Sequence, residues 1–191
     1  MRADPQPCGD CLPPVTSGRL QAHLPESGYT TVMYYITETV LVGNVYEARM
    51  PPPFIKGLLF VAEEFEITPP DGMIFGRVAL KEFHEAHPVD VSRAVEWLEQ
   101  HASSQRVLVC CRAGMGRSVS MVIAYLCCVK GMQYTEAVDL LTTRRPGSVP
   151  LPELERTIQQ VQQMRNVGAV KPDQPIATHA VKKPTVSPDR R

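Results

Sequence analysis

The stretch VLVCCRAGMGRSVSMVIAYLCC, residues 107–128, sets the fold. Three apolar residues and two adjacent cysteines come first. A short segment with two glycines, an arginine and a serine follows, and then an apolar run too long for one strand. That order predicts strand, loop and helix. A loop entering a helix presents several unpaired backbone N–H groups to one point, and the helix dipole adds partial positive charge there. The result is an anion cradle. Gly114 and Gly116 allow a tight turn and a close approach of ligand to the amides of Arg112, Ala113 and Met115. Arg117, at the loop's exit, carries a planar fork able to grip two phosphate oxygens in parallel. Cys111, at its entrance, lies in a ring of donors beside a guanidinium, which favours the thiolate. One cradle thus serves both to bind a dianion and to prepare a nucleophile.

Working outward, 191 residues with 43% hydrophobic content and no formal net charge suit one ordinary core. Residues 1–28 and 168–191 are rich in proline and lack helix or strand period, so both read as flexible, the second being basic with five cationic and two acidic residues. The domain between them is expected to span 29–167. Strands are expected at 31–36, 39–42, 58–62, 73–80 and 107–110, and a short helix or loop at 45–50. Helices are expected at 88–101, capped by Asp90, at 117–130, at 135–144 and at 151–165. This predicts an α/β fold, a central, mostly parallel sheet of about five strands flanked by helices.

The same features exclude several functions. No apolar run reaches the ~18 residues of a membrane span, and the N-terminus lacks the order of a signal peptide, so no membrane insertion and a cytoplasmic location are expected. Cysteines at a strand end and in an apolar helix suit a reducing compartment better than a disulfide framework. Neutral charge argues against nucleic acid as a partner. The loop lacks G-x-G-x-x-G and the lysine of a Walker loop. Cys8-Gly9-Asp10-Cys11 has the spacing of half a zinc site but no second pair, so no metal is assigned.

CRAGMGRS, residues 111–118, resembles the C-x5-R-S/T loop of the cysteine-dependent protein tyrosine phosphatase superfamily. TVLVGNVYEA at 39–48 and IAYLCCVKGMQYTEAVDLLTTRRPGS at 123–148 resemble its small dual-specificity branch. The resemblance implies Cys111 as the nucleophile toward phosphorus, Arg117 as the phosphate clamp and Ser118 as the hydroxyl that steadies the departing thiolate. No metal or organic cofactor is implied. The implied substrate is a phosphorylated protein. The loop does not choose the substrate, however, and phospholipid or glucan phosphatases of the superfamily, or a binding module without turnover, are the alternatives.

Two positions depart from the family pattern. Cys110 stands where the family has His, a weaker donor, which predicts a less constrained loop; Cys110 itself reads as a small buried hydrophobe. The family's acid, an Asp about thirty residues before the nucleophile, is matched in VALKEFHEAHPVD (78–90) by Glu82. Glu82 is assigned as proton donor and then base, with Asp90 second, and His84, Glu85 and His87 as solvated loop residues. Glu63, Glu64 and Glu66, in a segment resembling the EEYE-like stretch of phosphatidylglycerophosphate phosphatases, read as a solvated strand end. Trp97 reads as packing.

Overall fold

The computed structural model describes residues 19–22 and 31–166. Its elements are β1 (Arg19–Ala22), β2 (Thr31–Tyr35), β3 (Val40–Gly43), α1 (Val45–Arg49), β4 (Gly57–Phe60), β5 (Ile74–Arg77), α2 (Pro88–His101), β6 (Val107–Cys110), α3 (Arg117–Cys128), α4 (Tyr134–Arg144) and α5 (Leu154–Asn166). One sheet runs in the order β1-β2-β3-β6-β4-β5. The four strands from β3 to β5 are parallel, and β1 and β2 add an antiparallel edge. The expected α/β architecture is present, with β1 as an additional edge strand inside the segment 1–28 that reads as flexible. RLQA carries little apolar alternation, and backbone pairing to β2 is what forms the strand. The tail 168–191 and the Cys8–Cys11 pair lie outside the described residues.

Register explains where a site can form. Gly43, Cys110, Phe60 and Arg77 are aligned across the four parallel strands, so the segments that follow them all leave the same edge of the sheet. Carboxyl ends of parallel strands are where open α/β sheets bind ligands. Asn44, Cys111, Glu64 and Glu82 all lie on these segments.

The strands β3, β4 and β6 are buried on both faces, as continuous apolar runs require. The central helix α3 is buried from Arg117 to Cys127 and packs against α2, α4 and α5. Trp97 of α2 is 1% exposed and lies so close to β5 that a Cβ on Gly76 would stand 2.5 Å from its Nε1. Its role is packing, and Gly76 is the residue that admits it.

Several boundaries differ from the sequence reading: β4 ends at Phe60 rather than residue 62, β5 at Arg77 rather than residue 80, and α3 at Cys128 rather than residue 130. Asp90 does not cap α2; His87 does, its Nδ1 accepting from Val89 N at 3.3 Å with Pro88 opening the helix. Asp90 instead sits one turn in, 3.6 Å from Arg93. The last helix starts at Leu154 rather than residue 151, because Pro152 disfavours helical backbone at Leu151. No helix among the described residues is long and apolar enough to cross a membrane.

Candidate active site

The loop between β6 and α3 turns all five carbonyls of residues 112–116 onto donors outside it. Arg112 O accepts from Val45 N at 3.2 Å and Met115 O from Val149 N at 2.9 Å. Ala113 O and Gly114 O accept from Arg145, through Nη2 at 3.4 Å and Nε at 3.1 Å. Gly116 O accepts from both Ser120 N and Ser120 Oγ, at 2.8 and 2.9 Å. A peptide whose carbonyl points outward directs its neighbouring N–H inward, so this bracing forms the cradle. Gly114 has φ +68°, and a Cβ there would lie 2.6 Å from Gly43 O. Glycine is required at that position for both reasons. The helix begins with no side-chain cap, which leaves its first amides to the cradle.

Within the loop, Cys111 Sγ accepts from Gly114 N at 3.3 Å and lies 3.3 Å from Ser118 Oγ. Arg117 is 1% exposed, and its guanidinium is held on two sides. Nη1 and Nη2 donate to the two carboxylate oxygens of Glu64 at 2.5 and 2.6 Å, and Nη1 also donates to Leu80 O at 3.1 Å. The guanidinium has a second bidentate edge, Nε with Nη2, which turns toward Glu82, the Nη2 atom lying 3.8 Å from Glu82 Oε2. The hydrogen bond from Arg117 holds the Glu64 carboxyl below its ordinary range, against the opposing effect of partial burial.

Glu82 reaches the cleft from the segment after β5. Its Oε2 lies 3.4 Å from Arg112 Nη1 and 3.8 Å from Arg117 Nη2. The other candidates are engaged elsewhere. His84 Nδ1 contacts Glu82 O at 2.6 Å, Glu85 pairs with Arg156 at 2.8 Å, and His87 and Asp90 belong to the start of α2. Glu82→Gln is expected to lower turnover of alkyl phosphates by ~10²–10⁴, the worth of a positioned proton donor, and that of activated aryl phosphates less. Steady-state kinetics on the two substrate types measures the difference. Equal losses on both would remove Glu82 as the acid.

Residues 75–164 match the family model "Dual specificity phosphatase, catalytic domain". The chain is 29% identical over 131 residues to Dual specificity protein phosphatase 1B of Arabidopsis thaliana, covering 65% of this chain and 78% of that protein. It is 34% identical over 82 residues to MAP kinase phosphatase with leucine-rich repeats protein 3 of Dictyostelium discoideum, covering 41% of this chain and a tenth of that much longer one. PTPMT1, solved in complex with PI(5)P, superposes with a TM-score of 0.60 at 21% identity, over 72% of this chain and 99% of that one. These comparisons support a cysteine-dependent, dual-specificity-like phosphatase, the family-model match falling on residues 75–164.

For a phosphatase of this kind the structure adds residues that the sequence reading did not assign. Glu64, read as a solvated strand end, is the partner that orients Arg117. Arg145 braces two loop carbonyls, with its own guanidinium 4.2 Å over the ring of Tyr34. Asn44 and Glu47 form a capping box on α1, Glu47 accepting from Asn44 N and Asn44 Oδ1 from Tyr46 N at 2.7 Å, which fixes the turn that offers Val45 N to the loop. The signal for that box, Asn followed three residues later by Glu, stands in the sequence. Cys110 is fully buried against this turn. Burial, helped by the nearby Glu47, pushes its thiol well above the ordinary range, which keeps it a packed, protonated group. The loop therefore takes its support from Val45, Arg145, Val149 and Ser120 and needs no donor at position 110.

Proposed function

We propose that this phosphatase hydrolyses phosphomonoesters on proteins, with phosphotyrosine among its substrates, through a cysteinyl-phosphate on Cys111 carried by the catalytic domain 29–167. The observation that carries the reading is the meeting, at one edge of the sheet, of Cys111 Sγ with an amide and the Ser118 hydroxyl beside a buried, oriented Arg117. In the first step the Cys111 thiolate attacks phosphorus, the second edge of Arg117 and the loop amides hold the equatorial oxygens, and Glu82 gives its proton to the leaving oxygen as the P–O bond breaks. In the second, Glu82 takes a proton from water, the oxygen attacks phosphorus, and the S–P bond breaks. Ser118 Oγ then donates to the returning thiolate. Arg112, 61% exposed at the rim, adds positive charge for the approaching ester.

Rapid mixing with an aryl phosphate is expected to give a burst of one phenol per site, and acid quench of a labelled substrate to leave phosphate on the protein. EDTA is expected to change neither. Loss of turnover in EDTA, or a quenched protein without label, overturns the covalent mechanism.

A further inference from the structure

One short segment holds three of the five carbonyls that shape the cradle. Arg145 donates to Ala113 O and Gly114 O, and Val149 N donates to Met115 O. The Val149 bond joins two backbones. The Arg145 bonds instead end a long side chain, whose rotamers must be restricted before those bonds can hold. Among the described residues no carboxylate pairs with this guanidinium. Its neighbour is the ring of Tyr34, with Cζ 4.2 Å from the ring centroid. Two other cation–ring contacts, Lys130 over Tyr125 and Arg106 over Phe54, are looser, at 5.6 and 5.9 Å. Strand register brings Tyr34 to this point. β2 runs antiparallel to β3 with Tyr34 opposite Val42, one residue before Gly43. Gly43 O is the atom against which Gly114 packs, so Tyr34 stands at the site edge of the sheet, partly buried against the core.

We propose that Tyr34 is a positioning residue of the active site: its ring fixes the Arg145 guanidinium, which in turn keeps the Ala113–Gly114 part of the loop in its anion-binding form. The proposal rests on the reading of this loop as the phosphate cradle, and adds to it a residue from a strand that contributes nothing else to the site. A ring attracts the cation through its π-face and accepts none of the guanidinium's in-plane N–H groups. A carboxylate in its place would compete with the loop carbonyls for those same donors. The part of the loop held in this way is also the part most ready to turn over. Gly114, at φ +68°, has the conformational freedom of glycine, so a peptide beside it that loses its carbonyl partner can rotate. Rotation would turn an N–H away from the phosphate and a carbonyl oxygen toward it.

The test titrates inorganic phosphate into the full chain and into four variants: Tyr34→Phe, Tyr34→Leu, Arg145→Met, and the last two combined. Tyr34→Leu is expected to weaken phosphate binding ~5-fold, the worth of a cation–ring contact, and to lower kcat/KM for an aryl phosphate in proportion. Tyr34→Phe keeps the ring and should stay within about twofold of wild type. Arg145→Met, which removes two charge-assisted bonds, is expected to cost ~30-fold. In the Arg145→Met background, Tyr34→Leu should cost less than about twofold, because its effect passes through the arginine. Should Tyr34→Leu melt below the assay temperature, Tyr34→Val, β-branched and suited to a strand, repeats the measurement without a ring. An equal loss from Tyr34→Leu in both backgrounds would mean that Tyr34 acts on the fold and not through Arg145. That result overturns the proposal, as does an unchanged affinity or a Tyr34→Phe chain as weak as Tyr34→Leu. Hydrogen exchange of the backbone amides of residues 112–116 gives a readout that needs no ligand, and it should quicken in Tyr34→Leu and not in Tyr34→Phe. If no chain binds phosphate, that exchange pattern removes the cradle reading and leaves the coupling of Tyr34 to the loop standing, whereas unchanged exchange overturns both.

Discussion

Cys111→Ser is expected to lower turnover of any phosphomonoester by ~10⁴ or more while inorganic phosphate still binds. The two expectations have separate causes. A serine hydroxyl is far less acidic than a thiol, so it presents almost no anion at neutral pH, and the step that forms the phosphoenzyme loses its nucleophile. The cradle does not depend on sulfur. Its shape comes from the five carbonyls held behind it by Val45, Arg145, Val149 and Ser120, whereas the Cys111 sulfur is hydrogen-bonded to Gly114 N and Ser118 Oγ. The smaller oxygen keeps the Gly114 N–H as a donor and Ser118 as a neighbour, so the fold should melt at nearly the same temperature. Turnover, phosphate titration and thermal melting measured on one preparation decide the matter. More than about one hundredth of the original activity would mean that another group attacks phosphorus.

The parts of this site that the sequence revealed are those that one short stretch contains. Cys111, Arg117 and Ser118 lie within eight residues, and their order along strand, loop and helix fixes their meeting without knowledge of the rest of the chain. Glu64 is different. It lies 53 residues from Arg117 and reaches it because β4 neighbours β6 in the sheet. Strand order is a long-range property, and a local pattern such as AEEFE carries no mark of it. Arg145, 31 residues beyond Gly114, is likewise delivered by the end of α4. The cap of α2 is legible in the sequence: Pro88 favours the first helical position, which makes His87 the cap, although the capping preference of Asp points to Asp90. The edge strand β1 has almost no sequence signal, since an edge needs only one partner's backbone.

Arg117→Lys is expected to lower kcat/KM by ~10³, comparable to removing a positioned transition-state donor. The guanidinium does two jobs at once. One edge holds Glu64 at 2.5 and 2.6 Å with a further bond to Leu80 O, and the proposed mechanism gives the other to the phosphate. An ammonium has three protons around a point and no second parallel pair, so it must leave either the carboxylate or the phosphate poorly held. Glu64, 35% exposed, can take water in place of the lost bonds, and the variant should therefore fold. The role of Glu64 follows from a paired variant. Glu64→Gln alone is expected to cost ~10-fold in kcat/KM by loosening the arginine, and to cost little more in a chain that already carries Arg117→Lys, because the two residues act as a unit. Equal costs in both backgrounds would show that Glu64 acts independently of Arg117. The pH dependence gives a second check. Because Arg117 depresses the Glu64 pKa in the folded chain, the pair contributes stability above the ordinary carboxylate range and loses it only as pH falls through that depressed value. The Glu64→Gln chain lacks this term, so the stability gap between it and wild type should close below pH ~4 and remain open at neutral pH. A gap that stays constant through that fall would mean that the carboxylate's charge is not what holds Arg117.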